Sequence, residues 1–192
     1  MDRQELIRRL GRAKVLIDGG MCRVGSRIDR RKEADGLFLR LTGRALGLSD
    51  AVVALCRQEH PYEALPLLRQ LAETSARMSY LALPEQGGLP SRDARASALA
   101  AELSSSSWEG LWPEGRFLGR SGGLDGVPEL LSSCADFVEG GPTILPWGHA
   151  FQSPRPARSP EAVLAAALGL MKAALKALDA RWPGDFPGTE HL

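Results

Sequence analysis

Cysteine, histidine and aromatic residues are scarce in this 192-residue chain, which has three cysteines, three histidines and 6 % aromatics. Cys22, Cys56 and Cys134 are far apart and odd in number, which argues against a disulfide framework and suits free thiols. With no Cys-x-x-Cys pair and no histidine cluster, a zinc site is not expected. The lack of any Glu-x-x-His excludes the dinuclear metal sites built inside some helical bundles. Glycine-rich GRSGGLDG, residues 119 to 126, lacks the Gly-Lys-Ser/Thr ending of a phosphate loop and the preceding strand of a dinucleotide fingerprint. No cofactor is therefore expected. Apolar runs are short as well. None approaches the ~20 residues that cross a bilayer, and the opening MDRQELIRRL is charged where a secretory signal is apolar. The expectation is a cytoplasmic protein with no membrane contact. Its Arg-rich, Lys-poor usage, heavy in Ala, Leu, Gly and Pro, is bacterial in style.

The chain is long enough for one domain, and its 44 % hydrophobic and 24 % charged content is ordinary globular usage. Net charge is +1, so nothing pulls the whole molecule towards nucleic acid or acidic membrane. The distribution is less even. Residues 1 to 44 hold twelve of the 24 Lys and Arg against six acidic residues. Such a segment either binds a polyanion, pairs two copies head to tail, or forms a solvated helix face.

Alternation of period two is missing, and no repeat recurs at solenoid spacing. Helical spacing is abundant. Residues 2 to 16 place Leu6, Ile7, Leu10 and Ala13 at helical steps, and Gly19, Gly20 and Gly25 are expected to loosen the chain after them. Residues 30 to 57 carry an apolar stripe through Ala34, Leu37, Phe38, Leu41, Ala45, Leu48, Val52 and Leu55. One long helix is expected there, bent near Gly47 or restarted at Ser49-Asp50. Gly36, Gly43 and Gly47 lower its propensity and would let a neighbouring helix come close. His60-Pro61 ends this element. Further helices are expected over 63 to 82, with Pro66 in its first turn, over 91 to 103, capped by Ser91, and from Pro128 to about Val138. A last one runs from Ser159-Pro160-Glu161 to about Trp182.

Residues 104 to 127 and 140 to 160 read as two long irregular loops, holding Trp108, Trp112, Trp147, Phe117 and Phe151. Those aromatics either plug the open end of a bundle or line a ligand pocket. The fold class is all-α, an antiparallel bundle of four to five helices with those two loops. A basic helix or arm over 1–28, a bundle over 29–182 and a tail over 183–192 are the expected divisions. The apolar stripes of residues 30 to 57 and of the terminal helix suit either a full bundle or a homodimer interface.

The segment EALPLLRQLAETSARMSYLA, residues 63 to 82, carries the main chemical question. On a helical wheel Ala64, Leu67, Leu71, Ser75, Met78 and Ala82 lie on one side. Arg69, Glu73 and Arg77 lie opposite, among Leu65, Leu68, Ala72, Ala76 and Tyr80. A helix apolar almost all round is a central one, and charges on it need partners. Arg69 and Glu73, four residues apart, can partner each other and reach a facing helix. They read either as a structural pair fixing helix register or as ligand-facing groups. Cys134 reads as a buried inert thiol or as a nucleophile near His149. His149, between Trp147 and Phe151, reads as an ordinary surface histidine or as one titrating in a loop pocket.

The run from Ala64 to Glu73, with Leu67, Arg69 and Glu73 at set steps, resembles the A-x-x-L-x-R-x-L-x-E helix of a bacterial group of helical proteins. That group is related to the HEPN superfamily (higher eukaryotes and prokaryotes nucleotide-binding domain) and to abortive-infection proteins. The resemblance spans about residues 30 to 181, with PELLSSCADFVEGG in the place of a later helix that ends in His and Gly. It implies an all-helical fold and a setting in bacterial defence or stress. Ribonucleases of that superfamily use an Arg followed a short, set distance later by His. Here no Arg has that relation to His60, His149 or His191, since Arg57 stands only three residues before His60, and Glu139 occupies the helix-end position. The expectation is therefore a non-catalytic binding module for a protein or small ligand, with Arg69, Glu73, Arg77, Trp112, Trp147 and His149 as contact candidates. Two alternatives stay open. One is a degenerate HEPN-type ribonuclease using Arg69, Glu73 and His149. The other is nucleic-acid binding through the basic N-terminal segment.

Overall fold

The computed structural model describes residues 1–29, 31–85, 90–104, 159–188 and 192. Over them the chain is all-α. Five helices are present: α1 Arg3–Val24, α2 Glu33–Arg57, α3 Leu65–Ala82, α4 Arg92–Ser104 and α5 Pro160–Arg181. Of the sequence expectations at 104 to 127, at 128 to 138 and at 140 to 160, residues 105 to 158 lie outside the described residues. No helix among the described residues is long and apolar enough to cross a membrane.

Helix starts follow local chemistry. Asp2 accepts the Glu5 amide at 2.8 Å to cap α1, and the hydroxyl of Ser159 accepts the Ala162 amide at 3.2 Å to cap α5. Pro66 and Pro160 both fall within the first turn of their helices, where a missing N–H costs nothing. The first turn of α2 has no cap of its own. Asp93 of α4 supplies one from outside, accepting the Ala34 amide at 3.4 Å.

Ion pairs fix the helix directions. Arg3 at the start of α1 meets Glu161 at the start of α5 and Glu59 just beyond α2. Arg181 at the end of α5 meets Asp35 at the start of α2. Hence α1 and α5 run the same way and α2 runs against both. A short turn at 58 to 64 returns the chain into α3, antiparallel to α2. Helix α5 sits at the centre, against α1, α2 and α3, while α4 covers α2 and the end of α3. Its apolar circumference suits that place: Leu164, Leu170, Met171, Ala174, Leu175 and Leu178 are all fully buried. Phe38 and Trp182 close the far end of the core edge to face, ring centres 5.6 Å apart. Each large core side chain of this kind contributes roughly 1.5–3 kcal/mol through burial.

Three local expectations are corrected. Helix α1 does not stop near residue 16 but continues through Gly19 and Gly20 to Val24. A Cβ on Gly20 would stand 2.1 Å from the Phe186 ring, so this glycine is a seat for a side chain and not a break. Helix α2 is unbroken past Gly47, with Ser49 and Asp50 in its interior. Among the described residues no neighbour comes close at Gly43 or Gly47, both of which are exposed. Most of the apolar stripe of α2, and that of α5, is buried within the one chain, as the full-bundle alternative requires.

Candidate functional site

Helix α3 lies between α2 and α5, and only Gln70 along it is fully exposed. Its centre of burial is Leu68, Leu71, Ala72, Ser75, Met78 and Leu81, a little rotated from the wheel expectation, with Leu67 and Ala82 only half-buried. That rotation draws Arg77 inward to 6 % exposure, although its sequence position is on the polar side.

Arg69 donates from Nε to Glu73 Oε1 at 3.3 Å, as the four-residue spacing requires. Arg77 lies one turn beyond Glu73 on the same helix. From α2 the exposed Arg44 leans across, donating to Gln70 Oε1 at 3.2 Å. Three guanidiniums thus gather about one carboxylate. Burial of Glu73 nevertheless pushes its carboxyl above the ordinary range, outweighing the opposing pull of Arg69, Arg77 and Arg44. Of the sequence candidates, Arg69, Glu73 and Arg77 come together; Trp112, Trp147, His149 and Cys134 lie outside the described residues.

A second charged cluster, which sequence reasoning missed, ties the pole where α2 and α4 begin and α3 and α5 end. Asp35, 1 % exposed, accepts from Arg181 at 2.6 and 3.1 Å on one oxygen and from the Asp29 amide at 3.1 Å on the other. Arg181 also stacks over the Trp182 ring at 5.1 Å. Arg95, equally buried, donates to the carbonyls of Pro90, Leu81 and Leu83 at 2.9, 3.2 and 2.7 Å. Arg92 adds a donor to Leu81 O at 3.1 Å. These arginines satisfy the carbonyls that the end of α3 leaves open, where the helix dipole is negative. Burial, then the nearby Arg181, lowers the pKa of Arg92. Sequence signals existed: Asp35 interrupts a stripe between Ala34 and Leu37, and Arg95 adjoins Ala96, all of them core positions.

The basic N-terminal segment is largely engaged. Arg3, Arg9, Lys14 and Arg27 each pair with a carboxylate, of Glu59 and Glu161, Glu5, Asp50 and Asp185 respectively. Among the thiols, Cys56 is buried and pushed up to about 11 by burial, leaving it almost wholly protonated and inert at neutral pH. Cys22 is exposed. No group of three or more His, Cys, Asp or Glu side chains suited to a metal forms among the described residues.

No family model, curated protein or solved structure matches this chain.

Proposed function

We propose that the chain is a non-catalytic helical-bundle binding module that meets an anionic group, of a protein or small ligand, through Arg44 and Arg69, with Arg77 buried behind them. The supporting observation is the gathering of three guanidiniums about Glu73 in mid-helix. At the pole of the bundle, by contrast, the arginines meet Asp35 together with the carbonyls ending α3. Guanidinium forks suit carboxylate and phosphate oxygens, and a half-exposed Arg69 beside an exposed Arg44 is within a ligand's reach. A setting in bacterial defence or stress follows from the resemblance to HEPN-related proteins, and a cytoplasmic location is part of the same proposal.

Thermal unfolding in increasing inorganic phosphate or citrate tests it. A bound anion raises stability by about 1.4 kcal/mol at tenfold excess over Kd. The rise is expected in the wild type and in Arg12→Gln, and lost in Arg44→Gln/Arg69→Gln. An equal rise in all three proteins overturns the assignment of the face. Cleavage of labelled RNA that disappears in Arg69→Ala overturns the non-catalytic reading.

A further inference from the structure

We infer that residues 182–188 form a latch holding α1, and that α1 is a releasable cover on α5 that opens as one unit while α2, α3 and α5 stay folded. This stands on residues apart from the arginine face.

Among the described helices, α1 packs chiefly on α5 and only lightly on α2. Its buried side chains form a single stripe, Leu6, Leu10, Ala13, Ile17 and Val24, and its other faces meet solvent. Intrinsic helix strength is low, since Gly11, Gly19 and Gly20 lie within it. An element docked by one stripe, with weak propensity, belongs to the low-stability end of a fold.

Beyond the pairs of Arg3 with Glu59 and Glu161 and of Lys14 with Asp50, what opposes release is the segment that turns back after α5. Gly184 and Gly188, with φ of +83° and +87°, bend the strap in conformations that other residues rarely adopt. Between them Phe186 drops its ring against Gly20 and is 1 % exposed. Asp185 grips the end of the same helix and the turn beyond it: its carbonyl accepts from Arg23 Nε at 2.8 Å, and its carboxylate pairs with Arg27. Leu192, also buried, offers its carbonyl oxygen to Arg9 at 3.1 Å. The fit at residue 20 is all or none, because a Cβ there overlaps three ring atoms of Phe186. Residue 19 tolerates a Cβ, meeting only the end of the Arg23 side chain at 3.5 Å.

The two glycines therefore make a matched pair of probes, since alanine raises helix propensity equally at both. Hydrogen exchange followed by mass spectrometry on the full chain reads the opening. In the wild type, amides of α1 are expected to exchange faster than those of α3. Gly20→Ala should speed exchange across residues 3–24 by about tenfold or more, with α2 and α3 unchanged, while Gly19→Ala slows it or leaves it as it was. Phe186→Ala should act like Gly20→Ala, and adding Gly20→Ala to it should bring no further loss, because the ring is already gone. Unaltered α1 exchange in Gly20→Ala and Phe186→Ala overturns the latch. Loss of protection spread equally over α1, α2 and α3 overturns independent opening.

Discussion

Removing Arg181 tests the pole of the bundle most directly. Arg181→Met keeps much of the side chain's bulk against Trp182, yet leaves the Asp35 carboxylate buried with the Asp29 amide as its one remaining donor among the described residues. Stripping one partner from a buried ion pair costs about 3–5 kcal/mol, because the surviving charge has lost its compensation. The opposite change, Asp35→Asn, strands a guanidinium that is 19 % exposed and can turn towards water, so about 1–3 kcal/mol is expected. The double variant should cost much less than the two singles together. Urea denaturation followed by circular dichroism gives all four free energies. With a slope of about 2 kcal/mol per molar urea, Arg181→Met lowers the midpoint by roughly 1.5–2.5 M. A loss below about 1 kcal/mol in Arg181→Met, or strict additivity in the double variant, would falsify the assignment of this pair as the tie between α2 and α5.

Two further outcomes follow from charge and helix propensity. The Glu73 carboxyl is raised in the folded chain, so its contribution is fully favourable below the unfolded pKa of about 4.3 and is lost as pH climbs through the folded value. Glu73→Gln should therefore gain on the wild type between about pH 4 and pH 7 in chemical denaturation; a constant gap, or the opposite trend, contradicts the burial argument. Gly43→Ala and Gly47→Ala place a methyl group in open space on an exposed helix face, and each should stabilise by roughly 0.5–1 kcal/mol. A lowered melting temperature in either would mean that the face is covered.

The fold was legible where the cause is local. The stripe of α2, the cap at Ser91 and the Ser159-Pro160 start of α5 all lie within one or two turns of what they determine. The Arg69–Glu73 pair was legible for the same reason, being four residues apart on one helix. Continuation of α1 through Gly20 was not, because the ring that occupies the gap belongs to Phe186, far along the chain. Asp35 announced a need for a cation by interrupting a core stripe. Which of many arginines answers it depends on the packing of α5 against α2. Arg95 was hidden differently: its partners are backbone carbonyls, and every residue type supplies those.

The central position of α5 has a consequence for synthesis. Asp35 waits 146 residues for Arg181, so α1, α2 and α3 leave the ribosome before the rod they surround exists. At about 5–20 residues per second, their leucine faces stay unburied in the nascent chain for on the order of several seconds. Chaperones that hold such surfaces on nascent chains should matter more for the yield of this protein than for one whose core is complete halfway through translation.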